Sequence, residues 1–165
     1  MEQDARHEAN QYLTFTLEDE VFALEIDKVR EVLDFCTVTK VPRAPSYMRG
    51  VINLRGNVVP VMDMRRKLSM EGAMVSVNTC IIITEVLVGS ETMVLGAMAD
   101  SVQEVLDLEP DQINPTPNMG TGIENNFIRG IGKRGEQFVM ILDIDRVFSG
   151  CEFSVAQDEV QIEAA

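Results

Sequence analysis

Tryptophan is absent, and the single histidine, His7, lies in a polar N-terminal stretch. With no placed imidazole, His-dependent acid/base work, a Cys–His or Ser–His pair and most zinc sites are excluded. Cys36, Cys80 and Cys151 are odd in number and form no C-x-x-C spacing, which argues for separate reduced thiols and against a metal site or disulfide frame. Phe, Tyr and Trp make up 5% of the chain, too few for the stacking platforms of single-strand binders. Basic residues are also scarce, 14 against 27 acidic, and a net charge of −13 repels phosphate backbones, so nucleic acid is not an expected partner. No run approaches the ~18 apolar residues of a membrane helix. Residues 1–10 lack the apolar stretch of a secretion signal, so the expectation is a cytoplasmic protein without membrane insertion.

What the chain does have is a repeat. Val29-Arg30-Glu31-Val32-Leu33-Asp34 returns as Val102-Gln103-Glu104-Val105-Leu106-Asp107, and Tyr47-Met48-Arg49-Gly50-Val51 returns as Phe127-Ile128-Arg129-Gly130-Ile131. In each copy an Arg-Gly pair follows (Arg55-Gly56, Arg134-Gly135), then a β-rich run ending in Asp63 or Asp143. Two fragments in one order, at offsets of 73 and 80, mark a small structural module used twice. Because no reactive residues occupy matching positions, the pattern points to a surface that holds partners. Charge is divided unevenly: residues 1–75 carry 12 acidic and 10 basic side chains, residues 76–165 carry 15 and 4. Lys40, Arg43, Arg49, Arg55, Arg65, Arg66 and Lys67 form a local basic cluster in the first half. It reads either as a solvated face or as one that steers a partner.

Between the expected tails, 1–10 and 153–165, the pattern is mostly β. Leu13, Phe15 and Leu17 alternate with polar residues, the mark of a strand buried on one face. A turn at Glu18-Asp19-Glu20 leads to a returning strand at 21–24, a short helical turn at 26–29 and a strand at 31–35. Two prolines make 41–45 a loop. Strands at 50–54 and 58–62 flank Arg55-Gly56-Asn57, and 64–68 closes the unit with a short helix. The second copy repeats this plan. Strands at 80–88 and 92–99 surround a Gly89-Ser90-Glu91 turn, followed by a strand at 104–108, a Pro- and Gly-rich loop over 109–122, strands at 127–131 and 137–142, and a closing turn at 145–148. Five short strands per copy predict two small barrels, one approximately 11–70 and the other 80–148, bridged by 69–79.

Gly130-Ile131-Gly132-Lys133-Arg134-Gly135 matches G-x-G-x-x-G, but that motif cradles a dinucleotide only where a strand opens into a helix. Here it lies between two strands, so Gly130 and Gly135, like Gly50 and Gly56, are assigned to hairpin geometry. Asp63 and Asp143 occupy one place in each copy, ahead of the closing turn, which fits an N-cap better than a catalytic pair. The ten methionines are read as core filler, a few of them available as an adaptable contact surface. Glu31 and Arg55 form a candidate bidentate pair near the meeting of the copies; two independent exposed charges are the alternative.

The run from Tyr47 to Arg65, with Asn53-Leu54-Arg55-Gly56 at its centre and Pro60 and Asp63 downstream, resembles the signature of the bacterial chemotaxis coupling proteins, the CheW family. The resemblance extends over residues 11–149. It implies two SH3-like five-stranded barrels side by side, no enzymatic activity, no cofactor and no metal. It implies as partners the regulatory domain of a chemotaxis histidine kinase, the cytoplasmic tip of methyl-accepting chemoreceptors, and further copies of the chain. Kinase and coupler would join barrel end to barrel end while the receptor tip docks in the groove between barrels. Val29, Glu31, Arg55, Val102 and Val105 would then lie at or near that groove. Gly50, Asn53, Gly56, Pro60, Asp63, Gly130, Gly135 and Asp143 would shape hairpins and turns. The second copy lacks Asn-Leu before Arg134-Gly135, so no groove role is carried to Arg134. Other readings are the same part in a pathway controlling motility or development, and a small-ligand or oligonucleotide-binding barrel, which the acidic charge and few aromatics disfavour.

Overall fold

The computed structural model describes residues 11–68, 70, 75–88, 90–115 and 127–148. Both expected tails lie outside this set, as do residues 69 and 71–74 of the bridge and 116–122 of the Pro/Gly loop. Ten strands run in chain order: β1 Gln11–Leu17, β2 Glu20–Glu25, β3 Val29–Asp34, β4 Met48–Leu54, β5 Asn57–Asp63, β6 Cys80–Val88, β7 Glu91–Ala99, β8 Ser101–Asp107, β9 Ile128–Arg134 and β10 Gln137–Leu142. Two single-turn helices, α1 (Met64–Lys67) and α2 (Ile144–Val147), follow β5 and β10, and a 3-10 turn at Ile26–Lys28 joins β2 to β3. A second 3-10 turn, Pro110–Gln112, lies in the segment read as a loop after β8.

The sheets do not divide the chain into an N-terminal and a C-terminal barrel. One sheet has the order β8-β1-β2-β10-β9, the other β3-β6-β7-β5-β4. The expected boundaries, 11–70 and 80–148, are therefore corrected: each copy lends its first hairpin to the other's remaining strands. β1 pairs antiparallel with β8, and β3 with β6, over registers such as Tyr12↔Leu106 and Val32↔Ile82. Exchanging β1–β5 for β6–β10 converts one sheet order into the other, so the sequence repeat is a topological repeat as well. Both sides of β2 are taken, by β1 and β10, so after the turn at Ile26–Lys28 the chain continues into the other sheet.

Each sheet curls around a small core, Tyr12, Val21, Ala23, Val139 and Ile141 in the first and Ile52, Val59, Val61, Ile81 and Ile83 in the second. A third, shared core lies between them, with Phe15, Phe22, Leu24 and Phe148 from one sheet and Met62, Ile82, Leu95 and Ala97 from the other. Strands facing two cores are buried on both faces, which explains why 80–88 and 91–99 read as nearly continuous apolar runs. It also corrects β1, where Tyr12 and Thr14 are buried along with Leu13, Phe15 and Leu17. Thr14 is tolerated there because its hydroxyl donates to the Glu104 carbonyl (2.6 Å) and accepts from the Glu104 amide (3.0 Å), closing the bulge where β1 slips against β8.

Matching devices finish each barrel. Asp63 caps α1 by accepting from the amides of Arg65 (3.0 Å) and Arg66 (3.4 Å), and Asp143 caps α2 through Arg146 (3.2 Å). Thr39 bridges the outer edge of β4 at Val51, and Asn114 bridges β9 at Ile131, so each edge is paired at that point. Both Val51 backbone groups face Thr39 (2.8 and 2.9 Å), so the Val51–Pro60 pair exchanges no hydrogen bond and the missing proline donor leaves no gap. The bridges need close approach: a Cβ on Gly50 (φ +146°) would come within 2.1 Å of the Thr39 carbonyl oxygen, and one on Gly130 within 3.0 Å of the Asn114 oxygen. Gly50→Ala is expected to cost about 3 kcal/mol or more, from strain and overlap together, and Gly130→Ala about 1–2 kcal/mol. Urea unfolding of the two variants measures this, and equal losses would contradict the backbone argument.

Candidate partner-binding surface

The sheet orders leave β3 and β4 as the two edges of one barrel and β8 and β9 as the edges of the other. Side chains, not backbone pairs, span both seams. Arg55, in the turn after β4, donates Nη1 to Glu31 Oε2 (2.7 Å) and Nη2 to Glu31 Oε1 (2.8 Å), a bidentate fork reaching β3. On the other barrel Arg134, the last residue of β9, donates to Glu104 on β8 (2.7 Å) and also to Gln103 and Gln137 (3.1 Å each). The second copy thus contains the seam pair that the missing Asn-Leu seemed to exclude. Glu31 and Glu104 hold one place in the repeat, and that coincidence was the available signal.

Local chain chemistry sets the two arginines differently. Arg55 (φ +53°) and Gly56 (φ +89°) form a two-residue loop with both backbones left-handed, the type I′ pattern that matches strand twist. Asn53 braces it, its side-chain oxygen accepting from the Gly56 amide at 2.7 Å. In the second hairpin the loop is Gly135-Glu136 with only Gly135 (φ +62°) left-handed, so its arginine falls back onto the strand. The one-residue difference in turn position is absorbed by the length of the arginine. Arginine is a poor residue for a left-handed site, and its presence at 55 is the kind of local strain that accompanies function.

Beside the Glu31–Arg55 fork lies a cavity of about 410 Å³ lined by Val58, Val59, Ile83, Met93 and Val94 among others. Val58 (59% exposed) lines it and Val32 (39%) is open on β3, and their equivalents Phe138 (62%) and Val105 (47%) stand open on the other barrel. Val29 and Val102, at the starts of β3 and β8, are half-buried and pack on the shared core between the barrels. The structure therefore brings Glu31 and Arg55 together, sets Val29 and Val102 at the barrel junction, and leaves Val105 on an outer face.

Sequence reasoning missed two contacts that fix the junction. Lys28 bonds Asp145 at 2.7 Å, and the same carboxylate accepts from the Leu87 amide at 2.8 Å. Arg65 reaches Asp100 and Glu18, each at 3.2 Å, while Asp100 accepts from the Glu18 amide at 2.7 Å. Lys67 also lies over the rings of Tyr47 (4.6 Å) and Phe127 (5.8 Å), equivalent residues of the two copies. Among the described residues no cluster of three His, Cys, Asp or Glu side chains could hold a metal, and no helix is long and apolar enough to cross a membrane. Burial pushes the Cys80 thiol up, away from the reactive thiolate.

The hydrogen bonds from Arg55 hold the Glu31 carboxyl below its ordinary pKa. A depressed carboxyl contributes above its ordinary range and is lost as pH falls through the lowered value, so the fork stays intact throughout the neutral and mildly acidic range. Replacing Arg55 by Gly should raise the Glu31 midpoint back to the ordinary carboxylate range, read from carboxyl carbon shifts. Stability to urea should stay level or rise slightly, because an exposed pair is lost but backbone strain is relieved. A clear drop in stability would make the fork structural.

The family model described as "CheW-like domain" matches residues 11–152. The chain is 31% identical over 148 residues to the chemotaxis protein CheW of Klebsiella aerogenes, covering 90% of this chain and 87% of that one. It is 32% identical over 155 residues to the chemotaxis protein CheW of Rhizobium meliloti, covering 92% and 97%. Protein FrzA of Myxococcus xanthus is 29% identical over 127 residues, 77% of each chain. The crystal structure of the scaffolding protein TtCheW from Thermoanaerobacter tengcongensis superposes with a TM-score of 0.75 at 30% identity, covering 85% of this chain and 92% of that one. With that match the two five-stranded units are SH3-like barrels, and the chain belongs to the CheW-like family, the scaffold proteins of chemotaxis.

Proposed function

We propose that this chain is a non-catalytic adaptor that links the cytoplasmic tip of a methyl-accepting chemoreceptor to the regulatory domain of a chemotaxis histidine kinase. The observation that carries the reading is the repeated barrel end, an Arg–Glu ion pair spanning the seam on a barrel that also exposes apolar residues. Glu31, Arg55, Val32 and Val58 make one end, Glu104, Arg134, Val105 and Phe138 the other. A part with two such ends can sit between two partners, kinase regulatory domains or further copies of itself, and be recruited with them to membrane-associated arrays. Val29 and Val102, set on the shared core, suit the apolar residues of a helical hairpin tip, with the neighbouring charges fixing its orientation. Weak individual contacts suit this task, since an array supplies avidity through many copies.

A specific relative favours a second reading with the same surfaces. The likeness extends to protein FrzA, which is not named for chemotaxis, so the coupling part could serve another chemosensory pathway that controls motility or development.

Arg55→Glu places two carboxylates within reach of each other at the seam. Recruitment of kinase to receptor-bearing membranes should fall about tenfold, and adding Glu31→Arg should restore part of it. Co-sedimentation with receptor and kinase, followed by receptor-dependent kinase phosphorylation, reads both effects. Full recruitment by the single variant would remove Arg55 from the interface. Kinase activation that does not depend on the protein would remove the coupling role itself.

A further inference from the structure

A second cavity, about 790 Å³, opens on the other side of the β4 edge, between the loop after β3 and α1. Its lining carries Lys40, Arg43, Arg49 and Arg66 over an apolar floor that includes Phe35, Val41 and Ala44. Those charges are anomalous in a chain with 27 carboxylates and 14 basic residues. Seven basic side chains pair with carboxylates, and Lys67 lies over two rings. Among the described residues only five others have no carboxylate within 4 Å, and four of the five line this cavity. The repeat shows how selective the omission is. Arg129 pairs with Glu25 at the end of β2, but the matching end of β7 in the other barrel carries Met98 and Ala99, so the equivalent Arg49 has no carboxylate of that kind and lines the cavity. Arg43, moreover, is held with a left-handed backbone (φ +63°), a strained setting for an arginine.

An anion of some extent is therefore expected in the cavity. A single phosphate would leave most of its volume and all of its apolar floor uncovered. Residues 76–165, with 15 acidic and 4 basic side chains, repel an anionic membrane. A peptide with carboxylates and apolar side chains interleaved satisfies both parts of the lining. The chain carries such a sequence in residues 152–165, which contain Glu152, Asp158, Glu159 and Glu163, no basic residue, and Phe153, Val155, Val160 and Ile162 between them. Phe148, shortly before this segment, is buried in the same shared core on which Val41 and Ala44 of the cavity pack. Seventeen residues beyond Phe148 can span up to ~56 Å, more than the roughly 40 Å width of a domain this size.

We propose that this basic cavity is a docking site for the chain's own acidic segment 152–165. Tethered binding runs at an effective concentration of about millimolar, so even a weak contact is substantially occupied. The segment then covers a basic face of an acidic protein, and an acidic partner must displace it to bind there.

Two spin labels on the full chain test this. Cys36 is exposed and adjoins Phe35 and Thr37 of the lining, and it takes one label. Gln161→Cys takes the other, with Cys80→Ala and Cys151→Ala removing the remaining thiols. A short, narrow inter-label distance is expected at low salt. Most of that population should be lost in Arg43→Glu/Arg49→Glu and at about 0.5 M salt, where screening shortens to a few ångströms. An identical distance distribution in the charge-reversed and parent proteins would overturn the proposal. It also falls if phosphatidylglycerol vesicles bind the parent protein through Arg43 and Arg49 while the inter-label distance stays long, since the cavity would then be a lipid site.

Discussion

Everything in this molecule follows from the passage of the chain between barrels in three residues, Ile26–Lys28. Once β2 hands β3 to the other sheet, neither copy of the repeat can complete a barrel alone. β1 and β2 must wait for β8 and β10, and β3 must wait for β6. The pairing of Tyr12 with Leu106 crosses most of the described chain, the kind of long-range closure that slows folding but makes the product indivisible. The junction is then held twice over. The shared core supplies the non-directional part, burying Phe15, Phe148, Met62 and Leu95 from both sheets. Lys28–Asp145 and Arg65–Asp100 supply direction, each joining the closing helix of one barrel to a crossover segment. A surface assembled across this junction keeps a fixed shape, and a scaffold has no other means of transmitting anything.

The seams of the barrels are where that rigidity meets solvent. A five-stranded sheet that curls without pairing its first and last strands leaves two edges facing one another. Thr39 and Asn114 each bridge one edge of a pair at a single point, and the arginine–glutamate pairs tie the edges across the gap. Because these forks are exposed, they add little to stability. Their value lies in presenting a planar, oriented charge beside open valine and phenylalanine side chains, which is how an interface acquires register without a large area. The left-handed backbone at Arg55 fits this view: glycine or asparagine would serve the turn better, so the side chain is retained for what it meets outside the barrel.

Much of this was legible in the sequence, and the failures have identifiable causes. The repeat, the ten strands, the caps at Asp63 and Asp143 and the loop glycines Gly56 and Gly135 are all local, set within a few residues by turn geometry and periodicity. Gly50, Gly130 and Pro60, read as hairpin and turn residues, instead lie inside β4, β9 and β5, where the two glycines admit Thr39 and Asn114. Which sheet each hairpin joins is not local. Nothing in 11–25 distinguishes pairing with β3 from pairing with β8, because both strands carry the same Val-x-Glu-Val-Leu-Asp pattern. The burial of Tyr12 and Thr14 was hidden for the same reason, since Tyr12 packs with Val21, Val139 and Ile141 and Thr14 bonds Glu104, partners that only the sheet order brings beside β1. Arg134 was given no role because the Asn-Leu that precedes Arg55 is missing before it. Side-chain reach, which a register argument ignores, brings it back to Glu104 at 2.7 Å.

The duplication preserved geometry and inverted charge. In one half the second residue of the closing helix is Arg65, paired with Asp100; in the other it is Asp145, paired with Lys28. The loop after β3 carries Lys40 and Arg43 with no carboxylate near them, whereas the segment after β8 carries Glu109 and Asp111. Like barrels with unlike faces are what a two-ended connector requires. If both ends were identical, each partner would compete for both, and chains would close on themselves in any order. Because backbone pairing fixes the shape of each end and side chains alone fix its sign, the two ends could diverge in partner without any change in fold.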